Sequence, residues 1–256
     1  TGQADAGMLV GTAYNSTIRN VKVSGKLVST GSTASKRFSL GGVCGFAFSE
    51  KGTNTVIESA TVNVEVNAVG GSNTANGATC AMYGGIVGFA TAINAADASI
   101  VIIKNCVNNG NMNVTLGRCS GIVATANTGV TIEGCTNNGD ITVDMFNSTG
   151  VFYAATVLAD NKKANANFSA CHNTGNLTIV NAGNTENIGI YVGHKVDDTA
   201  IVDESACTNT GVVTVNGQPL GGGAAEALTV DGKRWQLPAD IGAMVAGVPT
   251  AVLVAD

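Results

Sequence analysis

The chain has 256 residues, of which 45% are hydrophobic, only 5% aromatic and only 12% charged, and its formal net charge is −5. The 13 basic residues are scattered, so the charge pattern excludes the basic footprint of a nucleic-acid-binding protein. The longest apolar stretch, residues 243–255, is shorter than the roughly 20 residues of a membrane-spanning helix. Val, Ile and Thr are abundant and favour pleated sheet, so we expect strands to dominate.

A glycine motif marks the beginning of six repeating units. Its first two copies are followed by Ile18-Arg-Asn-Val21 and Ile57-Glu-Ser-Ala60, which lack the cysteine of later units. The six copies are Gly7-Met-Leu-Val-Gly11, Gly42-Val-Cys-Gly45, Gly85-Ile-Val-Gly88, Gly121-Ile-Val-Ala124, Gly150-Val-Phe-Tyr153 and Gly189-Ile-Tyr-Val-Gly193. A recurring period of this length predicts a stacked repeat architecture.

Three longer segments interrupt the units, at residues 29–40, 70–81 and 156–167. They are rich in Ser, Asn, Ala, Gly or Lys, which is typical of surface loops. Insertions in a repeat array tend to emerge on one face and often bind ligands. We therefore expect ligand specificity, if the protein has any, to lie in these segments.

A second motif, C-x-N-[NT]-G, occurs four times with spacings of 29, 36 and 36 residues (106 to 135, 135 to 171 and 171 to 207). Each copy precedes an alternating apolar strand pattern. In a stack of parallel strands, the motif predicts an inward column of thiols and a column of amides that bond along the stack. The columns contain Cys106, Cys135, Cys171 and Cys207, and Asn108, Asn137, Asn173 and Asn209. One thiol per unit in a row does not match the converging ligands of a zinc site, so we expect no metal.

The richest acidic segment is Asp197, Asp198, Asp203 and Glu204, preceded by His194 and Lys195. A polysaccharide lyase needs calcium-binding carboxylates and a basic residue on one face, and a glycosidase needs two facing carboxylates. The segment could supply either set. Neighbouring units contribute few charged residues at equivalent places, which favours a solvated loop, so a carbohydrate-active enzyme remains the alternative interpretation.

The repeats end at Gly217, and residues 218–256 have a different composition. An uncovered end of a stacked sheet exposes backbone groups and core side chains. We therefore predict two regions, repeats in residues 1–217 and a capping segment in residues 218–256. Trp235 and the apolar run Ala251-Val-Leu-Val254 are the expected covering residues.

The units are too short to bury an apolar face alone and carry neither the four strands nor the aromatic signature of a propeller blade. The sequence therefore predicts an all-β chain, a right-handed parallel β-helix of about six irregular coils.

The pairing of Gly84-Gly-Ile-Val-Gly88 with segments such as Ile132-Glu-Gly-Cys-Thr-Asn-Asn-Gly-Asp-Ile-Thr-Val143 resembles the GLUG-type repeats of Bacteroidetes surface proteins. The resemblance covers roughly residues 6–217; the first two units, without the cysteine motif, depart from it. It implies a non-catalytic, extracellular or cell-surface β-helix without a cofactor. Such a module would act as an adhesin or scaffold that binds a glycan or another surface protein, within a larger outer-membrane assembly. Asp198-Thr199-Ala200 is similar to an O-glycosylation acceptor of that phylum, which points to Thr199.

Overall fold

The computed structural model describes residues 4–29, 38–69, 81–93, 100–146, 152–162, 166–195, 202–220, 228–230, 233–236 and 252–253. Every regular element in these ranges is a β-strand, and the sheets of the repeat region are parallel. The prediction of an all-β fold is therefore confirmed. The chain divides into two compact units, Thr1–Gly217 and Gln218–Asp256. Among the described residues, none forms a helix long and apolar enough to cross a membrane.

The first unit contains four parallel sheets, here called A to D, and successive repeats add strands to each of them. Sheet A contains β1 (Ala4–Gly7), β5 (Phe38–Gly41), β9 (Ala81–Gly84), β14 (Arg118–Ser120) and β19 (Ala154–Ala155). Sheet B contains β2 (Val10–Tyr14), β6 (Cys44–Ser49), β10 (Val87–Ala92), β15 (Val123–Ala126), β20 (Leu158–Asn161) and β24 (Val192–Lys195). Sheet C contains β3 (Thr17–Arg19), β7 (Thr55–Glu58), β11 (Val101–Lys104), β16 (Val130–Glu133), β21 (Ala166–Ser169) and β25 (Val202–Asp203).

Sheet D lies at the end of each repeat, and from the third repeat onward it receives two short strands per repeat. Its strands in the first unit are β4 (Lys22–Ser29), β8 (Thr61–Val69), β12 (Val107–Asn108), β13 (Met112–Thr115), β17 (Thr136–Asn137), β18 (Ile141–Asp144), β22 (His172–Asn173), β23 (Leu177–Val180), β26 (Thr208–Asn209) and β27 (Val213–Val215). The long strand β8 pairs with both β12 and β13, so each two-strand pair continues the path of one longer strand.

Neighbouring strands in every sheet come from consecutive repeats, and their register is continuous. Ile103 of β11, for example, pairs with Ile57 on one side and Ile132 on the other. All three side chains are fully buried. Parallel strands stack about 4.8 Å apart, so equivalent residues of successive repeats form columns along the molecule. The apolar residues at every second position thereby become a continuous core.

The glycine of the C-x-N-[NT]-G motif is required by the close stacking of these columns. A Cβ atom on Gly139 would lie 2.0 Å from the carbonyl oxygen of Gly110, and one on Gly175 would lie 2.1 Å from that of Gly139. Both contacts are with backbone, which cannot move aside without breaking the ladder. The motif glycine therefore lies where any larger residue would separate the repeats.

The fifth repeat corrects two predictions. Val123 pairs with Leu158, so the corner equivalent to Gly121-Ile-Val-Ala124 is Thr156-Val-Leu-Ala159, and the assignment to Gly150-Val-Phe-Tyr153 is wrong. The predicted insertion at 156–167 is wrong for the same reason, because this segment contains the buried strand β20. Residues 30–37 and 70–80 of the other two insertions lie outside the described residues.

The second unit contains β28 (Gln218–Pro219) and a three-stranded antiparallel sheet of β29 (Leu228–Val230), β30 (Lys233–Gln236) and β31 (Val252–Leu253). The backbone of Trp235 pairs with Leu228 on one side and Leu253 on the other. The capping role expected of this segment stays a prediction.

Candidate functional site

The asparagines of the C-x-N-[NT]-G motif form one hydrogen-bonded array inside sheet D, which we call the asparagine ladder. The side-chain amide of each donates to the side-chain oxygen of the next, at 2.8, 2.8 and 2.6 Å along Asn108, Asn137, Asn173 and Asn209. The same amides also donate to the carbonyl oxygens of the motif glycines. The first three side chains are almost fully buried. Their amide groups are therefore hydrogen-bonded within the protein, which offsets the cost of removing them from water.

The thiols of Cys106, Cys135, Cys171 and Cys207 form a parallel column. Each donates to a nearby backbone carbonyl oxygen at 3.3–3.5 Å. Hydrogen bonds with the thiols of Cys106 and Cys171, together with burial, raise the pKa of Cys135 well above its usual value. The same hydrogen bonds lower the pKa of the Cys106 and Cys171 thiols. No three His, Cys, Asp or Glu side chains in the described ranges are grouped as metal ligands.

The two repeating motifs touch each other across the interior. A Cβ atom on Gly85 would lie 2.5 Å from the amide nitrogen of Asn108, and one on Gly121 would lie 2.3 Å from the amide carbon of Asn137. The glycine corner between sheets A and B therefore leaves the space that the asparagine ladder occupies. This contact explains why both motifs recur together.

The acidic segment is only partly within the described residues. Asp197, Asp198 and the predicted acceptor Thr199 lie outside them. Asp203 accepts hydrogen bonds from the backbone amide and hydroxyl of Ser205, which hold the pKa of its carboxyl below the usual value. Glu204 makes a separate contact, with the ammonium group of Lys195 at 3.0 Å. The two described carboxylates are therefore bound to different partners.

A buried ionic group lies between sheets A and B, and we call it the Asp160 cluster. One carboxylate oxygen of Asp160 lies 3.1 Å from the Nε of Arg118, and the other is hydrogen-bonded to the Nδ1 of His194 at 2.8 Å. The side chains of Arg118 and Asp160 are only 3% and 1% exposed, whereas that of His194 is 26% exposed. The Arg118 contact is an ion pair and not an aligned hydrogen bond.

Tyr153 completes the Asp160 cluster on its aromatic side. The guanidinium carbon of Arg118 lies 5.0 Å from the centre of the Tyr153 ring, and the ring centres of Tyr153 and His194 are 4.7 Å apart. Burial raises the pKa of the Tyr153 hydroxyl. The four residues come from three successive repeats, so the cluster ties those repeats together.

The column of sheet B that contains Asp160 changes character along the molecule. Phe46 and Phe89 pair in register in the earlier repeats and stack with ring centres 5.2 Å apart. The next members of the column are Thr125, Asp160 and His194. The column begins with Thr12, so it is aromatic only in the second and third repeats and polar from the fourth repeat onward.

An open groove of about 420 Å³ lies at the C-terminal ends of four neighbouring strands of sheet D, β4, β8, β13 and β18. Its lining includes Val28, Ser29, Asn67, Val69, Asn113 and Asp144. In the sequence, the first two inserted segments begin at Ser29 and directly after Val69. The groove therefore lies beside the bases of both insertions.

Comparison with known proteins gave no match. No family model fits the chain, and no curated protein or solved structure matches it.

The Asp160 cluster has one chemical capability that the ladder lacks. A carboxylate that accepts the Nδ1–H of a neutral histidine fixes the tautomer and leaves Nε2 as a proton acceptor. His194 is the partly exposed member of the cluster. Sequence reasoning missed this group, although Arg118 and Asp160 are charged residues within otherwise small and apolar strands, which is the available signal.

Proposed function

We propose that residues 1–217 wind as a right-handed parallel β-helix of six coils. The support is the order of the strands: in all four sheets, neighbouring strands belong to consecutive repeats and run parallel. The asparagine ladder supports the same arrangement, because its hydrogen bonds join residues 29 or 36 positions apart in the sequence. A solenoid is the architecture in which each repeat contacts only its neighbours.

This β-helix serves as a non-catalytic module of a bacterial cell surface or secretome, an adhesive or scaffold subunit that holds a glycan or another surface protein. The observation that carries the proposal is the groove at the end of sheet D. It combines amide, hydroxyl and carboxylate groups with valine side chains, and ligand sites are concave, largely apolar surfaces with a few polar groups that fix orientation. A sugar ring offers both hydroxyl groups and apolar C–H faces to such a lining.

The test is binding of the full chain to a panel of bacterial, plant and host glycans, with product release measured in the same samples. Thr142→Arg places a bulky cation in the groove and should abolish binding. Thr210→Arg is the matched control, because Thr210 is exposed outside the groove. Equal binding by both variants would remove the groove from the proposal.

Release of shortened products would favour the alternative, a carbohydrate-active enzyme. Asp203→Ala and Glu204→Ala would then test the acidic segment, and His194→Ala would test the Asp160 cluster. If no glycan of the panel is bound or degraded, the partner to test next is another surface protein.

A further inference from the structure

The groove at the end of sheet D is lined by equivalent positions of successive repeats. Its lining includes two columns in register, Asn67, Asn113 and Thr142 in the first and Val69, Thr115 and Asp144 in the second. Parallel strands stack about 4.8 Å apart, so the four strands that border the groove span about 14 Å in the stacking direction. The groove therefore runs along the axis on which the repeats stack, and not along a strand.

The first column offers polar groups to a ligand at every repeat from the third to the fifth. Asn113 donates to the side-chain oxygen of Asn67 at 3.2 Å, and Thr178 continues the column beyond Thr142. Among the described residues, no hydrogen bond engages the side-chain oxygen of Asn113 or the hydroxyl groups of Thr142 and Thr178. Asn113 and Thr142 are exposed, and Thr178 is half-buried. Each repeat thus presents an amide or hydroxyl group at the same place, one strand spacing from the next.

The charge of the lining disfavours an anionic ligand. Asp144 is the only charged residue among the described residues that line the groove. Its Oδ1 accepts hydrogen bonds from the backbone amide of Phe146 at 2.8 Å and from the side-chain amide of Asn181 at 3.0 Å. A ligand with carboxylate or sulfate groups would bring like charge against Asp144, which opposes binding. An uncharged ligand meets no such cost.

We propose that the ligand of this groove is a linear, uncharged polysaccharide that lies parallel to the stacking axis, with successive sugar rings against successive repeats. The inference rests on the proposed function, because it names the class of glycan that the same groove binds. A polysaccharide chain repeats one set of hydroxyl groups and apolar C–H faces along its length, and the lining repeats its amide and hydroxyl groups in the same direction.

The alternative direction, along a strand, offers fewer groups to a sugar chain. From Thr142 towards the start of its repeat, the next exposed side chains are Asp140 and Asn138. Asp140 accepts the backbone amide of Asn176 at 2.8 Å. The amide of Asn138 donates to Asn109, and its oxygen accepts the hydroxyl of Thr174, both at 2.8 Å. These side chains already bond with neighbouring repeats, so the axial direction has more unused hydrogen-bonding groups.

Calorimetric titration of the full chain with oligosaccharides of increasing length tests the proposal. The probes are disaccharides, tetrasaccharides and hexasaccharides of the β-1,4-linked glucose, xylose and mannose series and the α-1,4-linked glucose series, with oligogalacturonates of the same lengths as anionic probes. In at least one neutral series, we expect the hexasaccharide to bind roughly tenfold or more tightly than the disaccharide, because it contacts more repeats. Oligogalacturonates should bind at least roughly tenfold more weakly than that hexasaccharide.

Two substitutions on the outer face of sheet D test the direction of the chain. Thr178→Arg alters the next repeat of the same column and should weaken hexasaccharide binding by roughly tenfold, with little effect on the shortest oligosaccharide that binds. Asn138→Arg is the control, because Asn138 is exposed in the same repeat as Thr142 but lies outside the groove. Circular dichroism checks that each variant is folded, and Thr178→Gln, with an expected few-fold effect, replaces Thr178→Arg if the latter misfolds.

Several results would overturn the axial chain but leave the groove as a glycan site. They are equal affinity for short and long chains, oligogalacturonate binding as tight as that of the neutral series, and hexasaccharide binding that is lost in Asn138→Arg or unchanged in Thr178→Arg. If no oligosaccharide binds, or if Thr142→Arg and Thr210→Arg bind equally, the groove is not the site and this inference fails with the proposed function.

Discussion

The asparagine ladder and the Asp160 cluster are both buried polar arrays, but different interactions offset the desolvation cost of their polar groups. In the ladder, each neutral amide donates to the next amide and to a glycine carbonyl. In the cluster, one carboxylate joins a buried guanidinium and a partly exposed imidazole. The nearby side-chain oxygen of Thr125 and both polar atoms of Asn161 are buried without a hydrogen-bond partner among the described residues.

This difference indicates which array is a structural repeat and which is a local specialisation. A neutral ladder can be extended by one repeat at little cost, because every added amide meets the same partners. A buried ion pair carries a large desolvation cost, and replacing it with apolar residues often leaves a protein no less stable. The Asp160 cluster is therefore the part of the fold whose residues stability alone does not explain.

Asp160→Asn should have the largest effect on stability. It removes the charge that compensates buried Arg118, and breaking one partner of a buried pair costs about 3–5 kcal/mol. The loss should appear as a lower midpoint of thermal or urea unfolding. Glu204→Gln, which breaks the half-exposed contact with Lys195, should cost less than about 1 kcal/mol and serves as the control. Similar losses in both variants would mean that Arg118 gains access to water when Asp160 is neutral.

Asn137→Val should have a smaller effect, of about 2 kcal/mol. Valine fits this column, since Val23 and Val62 hold the equivalent positions in the first two repeats. The cost arises because the Asn173 oxygen loses its amide donor and the Asn108 amide loses an acceptor, and a buried orphan costs about 1–3 kcal/mol. Urea unfolding measures the loss.

Asn209→Val is the matched comparison, because Asn209 is half-buried and ends the ladder. Its substitution leaves the Asn173 amide with a remaining acceptor, the carbonyl oxygen of Gly175. We expect a loss below about 1 kcal/mol. A larger loss at Asn209 than at Asn137 would show that the end repeat, and not the ladder, limits stability.

The same contrast explains which features the sequence could predict. The motif repeats, so its period alone identifies Asn108, Asn137 and Asn173 as one column, and parallel stacking brings them into hydrogen-bonding distance. The Asp160 cluster cannot be found in this way. Its charged residues do not recur at the equivalent positions of neighbouring repeats, where Met82 corresponds to Arg118 and Thr125 corresponds to Asp160.

The misassigned corner of the fifth repeat has a related cause. In the sequence, glycine residues predict the corners, but the corner of the fifth repeat begins at Thr156, whose hydroxyl donates a hydrogen bond to the carbonyl oxygen of Ile190. The glycine pattern therefore fails at a corner where a threonine occupies the position of the glycine. Gly150 fits the glycine pattern, but the position equivalent to Gly121 is Thr156, six residues later.

A third polar array, on the outer face of sheet D, tests what the same contacts do in water. Asn113 donates to Asn67 at 3.2 Å, and Asn67 donates to the Glu65 carboxylate at 2.6 Å. Lys26 also binds Glu65, at 3.1 Å. The amide hydrogen bond, followed by the Lys26 ammonium, lowers the pKa of Glu65 from its ordinary value of 4.5. Glu65 is exposed, so these contacts are open to solvent and screened by it.

Asn67→Ala should therefore move the Glu65 pKa up toward its ordinary value with the smallest effect on unfolding of the three substitutions. Because folding lowers this pKa, the stabilising contribution is complete above the ordinary value and is lost as pH falls through the folded one. NMR titration of the side-chain carboxyl carbon measures the shift, and Lys26→Met should produce a smaller one. If Lys26→Met moves the pKa more, charge attraction from Lys26 lowers the Glu65 pKa more than the Asn67 hydrogen bond does. Amide hydrogen bonds of the kind that stabilise the buried ladder would then have little effect at this exposed surface.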